Sequence, residues 1–140
     1  MKMMLRKISF FALTMLFLLA CVPEKLNETE ASKTAENILN TLNEEKYDNI
    51  SSFCTASYNN GENTEKRKSK YIELKKVLGS MQSYERVNTE HITNAAEPAY
   101  LILTYKVVYK NATTQEMFTL TKEEGKIKIS DHNIRTENTL

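Results

Sequence analysis

The hydrophobic period of the chain changes at Gly79, and this change constrains the fold more than any other feature of the sequence. Before Gly79 the apolar residues recur about every 3.6 positions, which is typical of amphipathic helices; after it they alternate, which is typical of strands. Helices that precede a run of strands indicate an α+β domain. We therefore predict three helices followed by a four-stranded antiparallel meander, with the first, long helix packed on the sheet.

The first helix is expected to begin near Asn27, because Asn27 and Glu30 form a capping-box-like pair. Its apolar stripe consists of Ala31, Ala35, Ile38, Leu39 and Leu42. Asp48 is a candidate N-cap for a second, shorter helix. The apolar face of that helix would hold Ile50, Phe53, Cys54 and Tyr58. Thr64 is a candidate N-cap for a third helix, which ends at Gly79 and turns Tyr71, Leu74 and Leu78 to the core.

Four alternating segments follow, and we predict strands over residues 81–92, 99–110, 116–122 and 126–130. The second is the strongest, and the residues on its apolar face are Leu101, Leu103, Tyr105, Val107 and Tyr109. Phe118, Leu120, Ile127 and Ile129 are expected to face the same core. A turn at residues 123–125 joins the last two strands.

The N-terminal segment has the layout of an export signal. Lys2, Arg6 and Lys7 precede an apolar run over residues 8–20, and the small Ala20 stands before Cys21. Thirteen residues of helix cover only about 20 Å of a hydrocarbon core of about 30 Å, so the run is too short to span a bilayer. We predict a removed signal peptide (1–20), a tether (21–30), one α+β domain (31–134) and a flexible tail (135–140).

Residues 18–21 resemble the lipobox of bacterial lipoproteins. The resemblance implies that Cys21 carries a diacylglyceryl thioether and anchors the protein to a membrane of the cell envelope. Val22 stands where aspartate is the usual inner-membrane retention signal, which implies the outer membrane if the cell has two. The alternative is an ordinary signal peptide with a free Cys21 thiol.

Loss of residues 1–20 removes three of the 19 basic residues and none of the 18 acidic ones, so the mature chain carries a net charge near −2. This balance gives no general reason to expect nucleic-acid binding. With Cys21 acylated, Cys54 is the remaining thiol, and we expect it to be a buried structural residue.

Several segments resemble small secreted bacterial domains of unknown function that are similar to the nuclear transport factor 2-like and cystatin-like α+β roll. The segments are 42–48, 78–81, 100–109 with Glu116, and 125–129. Ile127 stands where such families often have tryptophan. The resemblance implies a cystatin-like roll, a fold that hosts both enzymes and binding modules.

Residues with acid/base character are few: Asp48, His91, Asp131 and His132. Asp131 and His132 are neighbours on a strand, so their side chains are expected on opposite faces. An enzyme would use His132 or Asp48 as acid or base, with a donor such as Tyr105 inside the roll. The spacing of the histidines suggests no metal site, and we expect no cofactor.

The third helix is rich in positive charge, and a candidate contact surface consists of Lys66, Arg67, Lys70 and Tyr100. Its lysines suit anionic headgroups, or alternatively form an ordinary solvated face. From these features we expect a non-enzymatic binding or inhibitory module of the envelope, whose partner is an envelope protein or a small apolar ligand. The alternative is the small enzyme described above.

Overall fold

The four strands form one antiparallel sheet in the order β1-β2-β3-β4. The structure, a computed structural model, describes residues 24–61, 64–94 and 97–137. Its helices are α1 (Glu28–Asn43), a 3₁₀ helix (Tyr47–Phe53), α2 (Ala56–Gly61) and α3 (Thr64–Leu78). Its strands are β1 (Met81–Ile92), β2 (Tyr100–Tyr109), β3 (Thr113–Glu123) and β4 (Lys126–Thr136). The predicted α+β class and antiparallel meander are confirmed. Cys21, the signal segment and the first residues of the tether lie outside the described residues.

Helix α1 begins where its sequence predicts. The Asn27 side chain accepts a hydrogen bond from the Glu30 backbone N–H at 3.0 Å, so it satisfies one of the free donors of the first turn. The predicted apolar stripe is buried along its whole length, from Ala31 to Leu42. Burial of this stripe removes apolar area from water, which is the main favourable term for a helix of this kind.

One hydrophobic core joins the helices to the inner face of the sheet. The strand residues that belong to it are Leu101, Leu103, Tyr105, Val107, Phe118, Leu120, Ile127 and Ile129. They are the inward residues that the alternation predicts. Ile38 and Leu39 of α1 belong to the same cluster and are at most 1% exposed.

The prediction of one continuous second helix is wrong, because two short helices lie on either side of Cys54. Cys54 has an extended backbone (φ −101°, ψ 154°) and forms a parallel bridge with Ile129, and the Thr55 N–H donates to the Ile129 carbonyl at 2.8 Å. Pairing with β4 replaces helical hydrogen bonds at this point. Asp48 makes no cap; it lies in the first turn of the 3₁₀ helix and accepts a hydrogen bond from Lys68.

Strand β4 is longer than predicted and continues past Ser130 to Thr136. The register shifts opposite Thr119 and Leu120, where Leu120 pairs with Ile129 and Thr119 pairs with Asp131. The extra residue is a β-bulge, which breaks the strict alternation and makes the sequence pattern end early. Arg135 and Thr136, which we assigned to a C-terminal tail, are strand residues.

Candidate functional site

A fully buried carboxylate, Glu116, is the centre of a polar network on the inner face of the sheet. The Glu116 side chain has no solvent exposure. Its Oε1 accepts hydrogen bonds from the Tyr109 hydroxyl at 2.6 Å and the Thr114 hydroxyl at 3.2 Å. Its Oε2 lies 2.9 Å from Nε2 of His132. Four polar side chains therefore meet inside an otherwise apolar core.

The bulge in β4 turns His132 inward, opposite Phe118 in the register. The two rings are stacked, with centroids 4.2 Å apart and planes 12° from parallel. Nδ1 of His132 lies 2.8 Å from the hydroxyl of Tyr71 on α3, so both ring nitrogens are in hydrogen bonds. The His132 side chain is 1% exposed, and the network links α3 to β3 and β4.

The electrostatics of the network fix its protonation. Burial by itself raises the pKa of Glu116, but the hydrogen bond and charge of His132, with the hydroxyls of Tyr109 and Thr114, hold the pKa below its usual value of 4.5. The carboxylate is ionised at neutral pH, so Nε2 of His132 carries a proton and donates it. Burial raises the pKa of Tyr71 well above its usual value of 10.0, which keeps its hydroxyl protonated.

The residues that we expected to carry acid/base chemistry are buried or have separate partners. A general base must reach a substrate proton, and the His132 side chain is 1% exposed, with both nitrogens bonded to protein groups. Asp48, the other predicted acid/base residue, is exposed and paired with Lys68 at 2.8 Å. Tyr105, the expected donor, instead gives its hydrogen bond to Glu36 at 3.2 Å. The residues that we expected to act together have separate partners.

Sequence reasoning identified His132 but missed Glu116, Tyr71 and Tyr109. A signal for Glu116 was present, because it occupies an inward position of β3 between Thr114 and Phe118. A charged residue in that position predicts a buried partner. The sequence did not identify His132 as the partner of Glu116, because no sequence pattern predicts the bulge that turns His132 inward.

The residues of the predicted contact surface lie in different places in the structure. Lys66 and Lys70 are exposed on α3, whereas Arg67 is 3% exposed and points away from solvent. Tyr100 is half-buried at the start of β2 and lines a shallow depression of about 430 Å³ with Thr119 and Thr121. These residues do not form one continuous exposed face.

Cys54 is buried in the core, and its thiol donates to the Ile50 carbonyl at 3.3 Å. Burial raises the pKa of the thiol to about 11, and the nearby charges of Arg67 and Lys128 only partly offset this effect. At neutral pH the residue is a protonated thiol, which is the unreactive form.

No protein-family model matches the chain, and no curated protein matches it. Within residues 24–61, 64–94 and 97–137, no three His, Cys, Asp or Glu side chains are placed to hold a metal ion. No helix in those ranges is long and apolar enough to cross a membrane.

The buried carboxylate predicts a loss of stability in acid. Because the folded-state pKa of Glu116 is below 4.5, its contribution is present above that pH and is lost as the pH falls through the folded-state pKa. We expect the stability difference between wild type and Glu116→Gln to shrink over this interval, as measured by urea unfolding from pH 7 to pH 3. Glu123→Gln is the control for a half-buried carboxylate whose pKa is also lowered, chiefly by its hydrogen bond to Lys128. A wild-type minus Glu116→Gln difference that stays constant with pH would contradict the assignment.

Proposed function

We propose that this protein is a lipid-anchored lipoprotein of the bacterial envelope that acts by binding, as a non-enzymatic or inhibitory module. The observation that carries the proposal is the buried Glu116–His132–Tyr71 network, in which the His132 side chain is 1% exposed and the Glu116 side chain is not exposed at all. Glu116 and His132, the best acid/base pair among the described residues, are hydrogen-bonded to each other inside the core, where they stabilise the fold and are poorly placed for catalysis.

The proposed anchor is a lipid on Cys21, with the outer membrane as the location if the cell has two membranes. Helix α1 begins at Glu28, seven residues after Cys21. Seven extended residues reach at most about 25 Å, so the domain stays close to the bilayer. Confinement near one membrane raises the effective concentration of partners in that membrane, so a modest affinity is sufficient.

The proposed fold is a cystatin-like roll in which α1 lies across the inner face of the sheet. Three polar contacts between helix and sheet support it: Tyr105 with Glu36, Arg86 with Ser32 at 2.7 Å, and Tyr84 with Asn40 at 3.4 Å. The inner-face core shared by α1 and the strands supports the same arrangement.

The proposed contact region is the outer face of the sheet around Tyr100, and its partner is an envelope protein or a small apolar ligand. The buried helical side chains join the inner-face cluster, and the outer face stays half-exposed. By strand alternation that face carries Tyr100, Ile102 and Val108 of β2 with Met117 of β3. These apolar side chains on a sheet surface suit a docking partner better than bulk water.

A Tyr100→Glu substitution tests the contact region. We expect the anchored variant to lose most of its ability to complement a deletion strain, because a carboxylate on the apolar face opposes burial of that face against a partner. Val77→Glu is the matched control, since Val77 is 70% exposed and lies on α3, away from the sheet face. Equal complementation by both variants, at wild-type abundance in the membrane, would contradict the proposed surface.

A second candidate function is a small enzyme that uses His132. The observation that favours it is the order of a hydroxyl, a histidine and a carboxylate within hydrogen-bond reach, the geometry of an activated nucleophile. Against it stand the burial of His132 and the raised pKa of Tyr71, which disfavours the phenolate that would act as the nucleophile.

A further inference from the structure

Arg67 on α3 is a buried cation whose described partners are all neutral. The residue is 3% exposed. Its Nη2 donates to the Asn59 side-chain carbonyl at 2.7 Å and to the Ser51 hydroxyl at 3.3 Å. Its guanidinium carbon lies 4.8 Å from the centre of the Tyr58 ring. These contacts orient the guanidinium but supply no negative charge.

One end of the same guanidinium is incompletely bonded. Within the described part of the chain, Nη1 of Arg67 is buried and has no hydrogen-bond partner. A buried donor without a partner destabilises the fold, and a charged donor does so more than a neutral one. Buried charges in proteins are normally paired, so an arginine whose described partners are all neutral favours an added anion.

A cavity of about 170 Å³ adjoins Arg67 and has the chemistry to receive that anion. Lys70 adds a second positive side chain to its wall, and Leu74 and Ile134 supply apolar surface. The wall contains no carboxylate from the described residues. The hydroxyl of Tyr71, which also lines the cavity, is already bonded to His132.

A smaller cavity of about 80 Å³ also borders Arg67, but it is a poorer anion site. Asp48 and Glu65 lie in its wall, and their carboxylates repel an anion. Asp48 is bonded there to Lys68 at 2.8 Å. On the side of the larger cavity, no carboxylate of the described residues opposes an anion at Arg67.

We propose that the larger cavity binds a single oxyanion group, a phosphate or a carboxylate, carried by a small molecule or a lipid headgroup. Arg67 donates from Nη1, Lys70 adds charge at the rim, and the apolar part of the ligand lies against Leu74 and Ile134. Because Nη1 lies below the surface, binding requires a rotation of the guanidinium toward the cavity. This site is separate from the sheet face around Tyr100, so it goes beyond the proposed contact surface.

The test is a thermal unfolding series on the full-length anchored protein in a neutral detergent. At matched ionic strength, 100 mM inorganic phosphate or acetate is expected to raise the Tm by several degrees relative to chloride, since a ligand that binds the native state stabilises it. Phosphatidylglycerol mixed into the detergent, compared with phosphatidylcholine, tests the headgroup as the source. A shift with free anions assigns a soluble ligand, and a shift with phosphatidylglycerol alone assigns a headgroup.

Two substitutions on α3 make the test specific. Lys70→Gln is expected to weaken the binding at least threefold, whereas Lys76→Gln, an exposed lysine that does not line the cavity, leaves it unchanged. Arg67→Gln is expected to abolish it, and if that variant fails to fold, the Lys70 and Lys76 comparison decides. Shifts no larger than those in chloride and phosphatidylcholine, or equal effects of the two lysine substitutions, would overturn the proposal. Either result leaves the Tyr100 surface untouched.

Discussion

Replacing Glu116 with alanine is expected to lower the free energy of unfolding by about 3–5 kcal/mol, the usual cost of removing one partner of a buried ion pair. The loss is large because the substitution leaves the Tyr109 hydroxyl, the Thr114 hydroxyl and Nε2 of His132 without their acceptor. Domains of this size have total stabilities of about 5–15 kcal/mol, so the variant is at the edge of unfolding. Urea unfolding at pH 7 measures the effect.

Glu116→Gln is the matched control for the alanine variant. It keeps the size of the side chain and an oxygen for Tyr109 and Thr114, removes the charge, and replaces the oxygen that accepts from Nε2 of His132 with an amide NH₂ group. We expect it to retain more stability than Glu116→Ala. If Glu116→Ala unfolded within about 1 kcal/mol of wild type, the network would not hold the fold together as described.

Replacing Cys21 with serine is expected to move essentially all of the protein out of the membrane fraction or leave it as an unprocessed precursor. Serine has no thiol to form the thioether, and a single weak surface interaction does not replace an acyl anchor. Fractionation and intact-mass analysis of the processed protein measure the outcome.

Cys54→Ala is the control for Cys21→Ser, because Cys54 is the buried thiol of the core. We expect it to remain anchored, although it leaves a small cavity. A Cys21→Ser protein that stays in the membrane with its signal segment removed would contradict lipid anchoring, as would a wild-type mass with no added lipid.

The sequence predicts the regular helices and strands of this fold well, because in each of them one hydrophobic period determines which residues are buried. The stripe of α1 from Ala31 to Leu42 and the inward row of β2 from Leu101 to Val107 are buried as their spacing requires. Where tertiary contacts override the local pattern, prediction fails. Cys54 leaves its helix to pair with Ile129, and the bulge opposite Thr119 lets β4 continue beyond Ser130.

The candidate site was predictable only in part for the same reason. His132 was named from its residue type, but its partners are set by the register of three strands and by the position of α3. Glu116, Tyr71 and Tyr109 are separated along the chain and meet only in the folded state. Arg67 was assigned to a charged face, and only its burial shows that it lies inside.

Binding without turnover is the central claim, and one double variant tests it most directly. Tyr71→Phe removes the hydroxyl on His132 and keeps the ring, at a cost of about 1 kcal/mol, and Asp48→Asn removes the exposed carboxylate. When this double variant is expressed in a deletion strain and is present in its native membrane, we expect it to restore the wild-type phenotype in full. A double variant that is folded and anchored at wild-type abundance but fails to complement would contradict the claim and favour the enzyme.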